Sequence, residues 1–251
     1  MLTTVFAAAM LAAVAAAPAD DMIPADGGGI TVHAFRHASL SLTWNGKHIL
    51  IDPAPGVGSP DGEDPVKPFA GQKPDVIFVT HGHFDHFNVA VLRHLSGPHT
   101  PIVAPRAVFD AMPDDLKAKT KVMANGDAAD VDGIPVEAVA AYNVTPERLQ
   151  FHPKGVGNGY VLTLGGKRIY VAGDTEETPE IAHLPNIAAA FLPMNLPYTQ
   201  TIEAAAKWVK DFAPKRVYPY HFHGTDGSIA DIKAFTADVG GVSEVRLLKW
   251  Y

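Results

Sequence analysis

The chain has 251 residues, 47% of them hydrophobic and 19% charged, which is enough apolar material for a large core and excludes a disordered chain. A net charge of −7 with no basic stripe excludes a sequence-independent grip on nucleic acid, which needs clustered Lys and Arg. Cysteine is absent, so disulfides, a lipoprotein anchor and a cysteine nucleophile are excluded as well.

The N-terminal segment Val5 to Ala17 consists only of Ala, Val, Leu, Met and Phe. That is the length of a signal-peptide apolar region and too short to span a bilayer. Ala15-Ala16-Ala17 and Ala17-Pro18-Ala19 offer small residues for cleavage, although no Lys or Arg precedes the apolar run. We read residues 1–19 as a signal peptide, with a buried helix as the alternative. Residues 20–251 are then one domain of a periplasmic or secreted protein, with no membrane anchor after cleavage.

Asp20 to Gly29 reads as a polar, Gly-rich lead-in. Ser39–Trp44 alternates with period two, Asn45-Gly46 follows, and Lys47–Ile51 resumes the apolar pattern. This predicts a hairpin, because Asn-Gly tolerates the positive φ angles of a type I′ turn. Residues 53–74 hold six prolines and four glycines and read as a long surface loop leaving Asp52 inside one core. Asn88 is placed to cap a helix over Val89–Leu95. Strands are predicted at Ile102–Ala104 and Ile134–Ala141, then a second hairpin at Tyr160–Leu164 and Lys167–Ala172 around Gly165-Gly166, then strands at Ala189–Leu192, Arg216–Pro219 and Val245–Leu248. Thr201–Phe212 puts Ile202, Ala205, Val209 and Phe212 on one helical face and Pro214 ends it; Ser228 caps a last helix over Ile229–Asp238. Strands outnumber helices, which suggests two packed sheets with helices outside.

Function is concentrated in Thr80-His81-Gly82-His83-Phe84-Asp85-His86, directly after the apolar run Val76–Val79. A buried strand delivers four potential metal ligands onto a tight loop. On extended backbone His81 and His83 point the same way, and Asp85 and His86 turn towards a neighbouring point. Imidazole and carboxylate are ligands that zinc and similar borderline metals accept. Asp174 in Ala172-Gly173-Asp174-Thr175 and His221 in Tyr218-Pro219-Tyr220-His221 sit at ends of predicted strands, where loops gather on one sheet edge.

With these motifs, and with His37-Ala38-Ser39, Ile51-Asp52-Pro53 and Leu192-Pro193-Met194-Asn195 in the expected order, the chain resembles the metallo-β-lactamase-fold hydrolases over roughly residues 30–250. Within them it is most similar to the branch that includes the ascorbate-phosphate lactonase. The resemblance implies an α/β (α+β) fold, a four-layer αββα sandwich with a metal site on one edge. It implies His81 and His83 on a first metal, Asp85, His86 and His221 on a second, and Asp174 bridging both. The family supplies a third histidine to the first metal, but here the corresponding strand ends Ala141-Tyr142-Asn143. We take Asn143 as the positional equivalent, with His152, nine residues later, as the other candidate. The expected cofactor is zinc, as two ions; an oxygen ligand from Asn143 would also admit manganese or iron.

The chemistry expected is hydrolysis of an ester, lactone or phosphodiester bond in a small molecule. Water shared by two cations loses a proton near neutral pH, and the resulting hydroxide attacks while Asp85 or Asp174 relays a proton to the leaving group. A bridging carboxylate disfavours antibiotic hydrolysis, which in this fold usually proceeds without one, and the acidic balance disfavours a nuclease. The rival reading from another class is a metal-binding sensor or scaffold without turnover, which Asn143 favours. His37 and Tyr198 are further candidates for lining the site, whereas packing is the default for Tyr198 and solvent for His223, Arg148 and Lys154. The partner expected is a small-molecule substrate, with no nucleic acid; branches of this fold often form homo-oligomers.

Overall fold

The computed structural model describes residues 17–251 except 58, 61 and 225. The segment read as a signal peptide therefore lies, up to residue 16, outside the described residues. Pro18 and Ala19 are already tied to the body, since their carbonyls accept from Lys249 N at 2.8 Å and Ala34 N at 2.9 Å. No helix among the described residues is long and apolar enough to cross a membrane.

Two seven-stranded sheets follow one another in the chain. The first contains β1 (Asp20–Ile23), β2 (Ile30–Arg36), β3 (Ser39–Trp44), β4 (Lys47–Ile51), β5 (Val76–Phe78), β6 (Ile102–Ala104) and β7 (Thr120–Val122), paired in that order. The second contains β8 (Ala128–Val131), β9 (Ile134–Ala141), β10 (Gly157–Leu164), β11 (Lys167–Val171), β12 (Ile187–Pro193), β13 (Arg216–Tyr220) and β14 (Glu244–Val245), again paired in sequence. In each sheet the first four strands pair antiparallel and the last four parallel. Helices α1 (Val89–Leu95), α2 (Arg106–Ala111) and α3 (Asp114–Lys117) belong to the first half, and α4 (Ile202–Phe212) and α5 (Ile232–Val239) to the second.

Side-chain alternation explains the layering. Ile49, Ile51, Val76, Phe78 and Val103 join the core between the sheets, whereas their neighbours Leu50, Ile77, Val79, Ile102 and Ala104 pack outwards onto Val91, Leu92, Val108 and Leu116. A strand buried on both faces reads as a continuous apolar run, which is why Val76–Val79 is uniformly hydrophobic. The sheets meet where Phe78 tilts against Tyr160 with ring centroids 5.1 Å apart and Tyr160 Oη donates to Val79 O at 3.0 Å. On the far side of the second sheet Tyr170 packs edge-on against Trp208 of α4. The result is the αββα sandwich.

Both predicted hairpins form, with Asn45 and Gly46 at φ 48° and 77° and Gly165 and Gly166 at 50° and 71°. Asn88 caps α1 by accepting from Val91 N, and Thr201 caps α4, which ends at a left-handed Ala213 just before Pro214. Three expectations need correction. Asp20–Ile23 is not a lead-in but an edge strand on β2, whose exposed polar residues carry little apolar signal. The last helix starts at Ile232, because Asp231 rather than Ser228 accepts from its first-turn amides while Ile229 bridges to His223. The final strand pairs only over Glu244–Val245. Within the loop of residues 53–74, the described residues include a short 3-10 turn at Lys67–Phe69 with Phe69 buried, and Glu63 accepts from Arg36 at 2.7 Å.

Candidate metal centre

The parallel strands β4, β5, β11 and β13 all end on one edge, and the chain turns sharply there. Asp52 follows β4 at φ 47°, His221 follows β13 at φ 47°, and His37 makes the β2–β3 corner at φ 58°. Left-handed backbone at non-glycine residues is costly and persists where surroundings enforce it, as at functional sites. Gly173, after β11, has φ 67°, and a Cβ there would lie 2.9 Å from the Thr80 Cβ. Only glycine lets the Asp174 turn close onto the Thr80–His86 loop.

Eight side chains from these turns and loops converge in two groups. His81, His83, His152 and Asp174 offer ligand atoms within 4.8 Å of one another, and so do His37, Asp85, His86 and His221. In the first group His81 Nε2 lies 3.0 Å from His83 Nδ1, and His152 Nε2 lies 3.2 Å from Asp174 Oδ2. In the second, His221 Nε2 lies 3.4 Å from Asp85 Oδ2. Asp174 also reaches the second group, with Oδ1 at 3.4 Å from His86 Nε2 and Oδ2 at 3.4 Å from His221 Nε2. It stands between the two clusters.

The donor set fits metal ions. Zinc–nitrogen bonds of ~2.0–2.1 Å in a tetrahedron put neighbouring ligand atoms ~3.3 Å apart, the scale of these separations. Moreover, His86 Nε2, His152 Nε2, His221 Nε2 and Asp174 Oδ1 are buried without a hydrogen-bond partner. Orphaned buried polar atoms carry a large desolvation cost, which a shared cation removes.

Electrostatics point the same way. Burial alone would raise the Asp174 carboxyl, but His221, His86 and His152 hold it well below the usual range. Asp85 is likewise held low, against burial, by His221 and His37. Burial, reinforced by neighbouring histidines, pushes His81 well below its ordinary value and His37 down to about 4. His86 runs the other way: burial opposes its charge, yet Asp174, Asp52 and Asp85 raise it to about 10. In the metal-free protein a proton on His86 thus does part of what a cation would do.

Hydrogen bonds behind the cluster aim the ligands. Asp52, fully buried, accepts from Thr80 N and Thr80 Oγ1 at 2.7 Å each and from His86 Nδ1 at 2.8 Å. This fixes the His86 tautomer with Nε2 facing inwards. His37 Nε2 lies 3.0 Å from Asp85 Oδ2, and its Nδ1 lies 3.0 Å from the Tyr251 hydroxyl. A neutral His37 that accepts from Tyr251 and donates to Asp85 satisfies both contacts. Glu176 accepts from Val144 N, Thr145 N, Thr145 Oγ1 and Arg148 Nη1 at 2.6–2.7 Å, locking the loop that carries His152 onto the Asp174 turn.

Six of the expected ligands, His81, His83, Asp85, His86, Asp174 and His221, are brought together. His152, the other candidate for the third ligand, joins the first group; the Asn143 side-chain nitrogen donates to Arg148 O at 2.9 Å and Tyr198 O at 2.7 Å and lies beside His152 Nδ1, and its Oδ1 is buried without a partner. His152 Nδ1 also reaches Tyr198 O at 3.2 Å, which leaves Nε2 for the cluster. His37 is not merely a strand histidine but a member of the second group. His223 does not face solvent freely; it stacks on Tyr251 with centroids 3.5 Å apart. Arg148 is half-buried against Glu176, while Lys154 is exposed, as expected, and pairs with Glu180 at the surface. Tyr198 packs edge-on against Phe151 beside the cavity. The supporting roles of Asp52, Glu176 and Tyr251 are not legible from the sequence alone, although Asp52 at a strand end marks the right edge.

Residues 47–222 match the family model described as the beta-lactamase superfamily domain. Among curated proteins, the UPF0173 metal-dependent hydrolase of Pyrococcus abyssi is 30% identical over 88% of this chain and 96% of its own length. The one from Thermoplasma acidophilum is 31% identical over 82% and 89%. Among solved structures, a protein of Parabacteroides distasonis described as a metal-dependent hydrolase superposes with a TM-score of 0.79 at 34% identity, covering 92% of this chain and 99% of that one. A metallo hydrolase of Ignicoccus hospitalis shares the fold with a TM-score of 0.69 at 23% identity, covering 88% and 95%.

Proposed function

The chain belongs to the metal-dependent hydrolases of the β-lactamase superfamily, and from that premise we propose that it uses two cations, zinc by preference, to cleave an ester, lactone or phosphodiester bond of a small molecule. The observation that carries this is that buried, unpartnered His86 Nε2, His152 Nε2, His221 Nε2 and Asp174 Oδ1 fall within two adjoining groups at one sheet edge. In this reading His81, His83 and His152 hold one ion, Asp85, His86 and His221 the other, and Asp174 both. His37 belongs behind Asp85 as its hydrogen-bond donor.

When bound, the ions supply Lewis acidity and a lowered pKa for attacking water. The rest falls to the chain. Asp52 and the Tyr198 carbonyl hold His86 and His152 by their Nδ1 atoms. His37 keeps the Asp85 carboxylate turned into the cavity that it lines with His83, Phe84 and Tyr198. Asp85 accepts the proton released during attack and returns it to the leaving oxygen. His152 in the first group offers the imidazole that the strand end lacks, which supports turnover over a sensor.

The test is metal analysis of the purified protein, then a hydrolysis screen of esters, lactones and phosphodiesters with and without chelator. Activity lost with chelator and regained with zinc supports the reading. Stoichiometric metal with no turnover on any of the three bond types overturns it. Export is also part of the proposal, on the strength of the apolar run Val5–Ala17; recovery of the full-length, uncleaved chain from the cytoplasm would argue against it.

A further inference from the structure

The centre opens into two cavities of about 220 Å³ each, and both reach His83, Phe151, His152 and Asp174. One continues between Ala107, Ala141 and Val156. The other continues between Val57, Phe84 and Tyr198. Singly, each falls short of the ~300–1,000 Å³ typical of a small-ligand pocket; taken together they fall within it. Phe151 lines both, and its ring packs edge-on against Tyr198 with centroids 5.0 Å apart.

Among the described residues no Lys or Arg lines either cavity. Cations stand close by along the chain, but each has a carboxylate. Arg148 pairs with Glu176 at 2.6 Å, Lys154 with Glu180 at 2.6 Å, Arg36 with Glu63 at 2.7 Å and Arg106 with Asp110 at 3.5 Å. Fixed charge inside the cavities is carboxylate, from Asp85 and Asp174. The loops bearing the site also expose large apolar side chains: Phe84 at 68%, Leu149 at 48%, Leu196 at 42% and Val156 at 40%. Of these, Phe84 and Val156 line the cavities themselves.

We propose that the substrate carries no charge in its arms: its scissile bond lies over His83, His152 and Asp174 while two largely apolar arms occupy the two cavities that meet there beside Phe151. This rests on the hydrolase reading and narrows it to substrates whose arms are uncharged. An ester with an anionic tail would bring a charge to walls that offer it no cation, whereas a phosphodiester's own charge lies at the scissile centre, where the proposed ions meet it. A carboxylate in an arm would be desolvated against Val156 or Val57 with nothing to pair it.

Two matched probe pairs test it on the zinc-loaded protein. In calorimetric titrations, benzohydroxamate and its 4-carboxy derivative share a metal-binding head and differ by one charge. In kinetics, p-nitrophenyl butyrate and p-nitrophenyl hemisuccinate share a leaving group. The neutral member of each pair is expected to win by about tenfold or more, as befits one unpaired buried charge. Val156→Lys, at a partly exposed cavity wall, is expected to close much of that gap by improving the anionic member. Equal or tighter binding of the anionic hydroxamate, or no binding of either, overturns the proposal. Hydrolysis of both esters at equal kcat/KM overturns it while the hydrolase reading stands. Selective binding of the neutral hydroxamate with no ester turnover does the reverse: the cavity assignment stands and ester hydrolysis fails.

Discussion

Asp52→Asn isolates the support behind the second metal group. The wild-type carboxylate is fully buried and accepts three hydrogen bonds, from Thr80 N, Thr80 Oγ1 and His86 Nδ1. An asparagine keeps Oδ1 as acceptor for Thr80 N. Its NH₂ takes the place of Oδ2, where the Thr80 hydroxyl can rotate to accept but His86 Nδ1–H meets another donor. Loss of a hydrogen bond to a charged group is worth about 1.5–3 kcal/mol. The ring escapes by moving its proton to Nε2, the atom that faces Asp174 Oδ1 at 3.4 Å. An ion on Nε2 forces the remaining proton back to Nδ1, against the amide, where in the wild type Asp52 accepts it. Removing such a supporting partner costs about 10–100-fold in metal affinity, or about 1.4–2.8 kcal/mol, which agrees with the hydrogen-bond figure. The expected result is therefore selective: one zinc retained at wild-type affinity by His81, His83 and His152, and the other weakened. Competition with a chromophoric chelator reads both affinities, and circular dichroism confirms that the variant folds. Two ions at wild-type affinity in a folded Asp52→Asn protein would refute the tautomer argument.

His152→Ala is expected to lower zinc content from two ions towards one and to abolish turnover, whereas Asn143→Ala keeps both ions bound with a modest loss of affinity; elemental analysis decides, and the reverse pattern would restore Asn143 as the ligand. Metal uptake should release protons, because His86 is raised to about 10 in the metal-free protein by Asp174, Asp52 and Asp85 against the effect of burial. Its charged form thus stabilises the metal-free fold fully below the unfolded value of ~6.5, and that stability is lost as pH climbs towards 10. Titrations in buffers of different ionisation enthalpy should find about one proton released with the second ion at neutral pH. Glu176→Gln leaves Arg148 without its carboxylate and is expected to cost about 3 kcal/mol, read as a drop in thermal midpoint. The Glu176 carboxyl is held below its ordinary value, so its contribution is present above about pH 4.3 and fades as pH falls through its folded value. The gap between wild type and variant should therefore narrow in acid.

The parts of this fold legible in the sequence are those where one local signal decides. Asn45-Gly46 and Gly165-Gly166 dictate their turns, Asn88 and Thr201 cap their helices, and the apolar run before Thr80 marks a strand covered on both faces. The ligand cluster was legible for a related reason: four of its members lie within six residues, so local spacing carries most of the chemistry. Elements stabilised by a partner far away gave little warning. The edge strand β1 is held by β2 and by Arg216, which reaches Asp21 at 3.0 Å across 195 residues. The choice between Asn143 and His152 has the same origin. Counting along β9 lands on Asn143 as the strand-end residue, but the loop of residues 144–156 folds back under the grip of Glu176, which lies at the Asp174 turn. That grip sets His152 in the position the strand end would otherwise supply, and it turns Asn143 into its neighbour on the Tyr198 carbonyl. Nothing in residues 143–152 alone distinguishes the two outcomes. The choice is made by a carboxylate more than twenty residues downstream, which is why replacing Glu176 should disturb the first metal group as well as the stability of the loop.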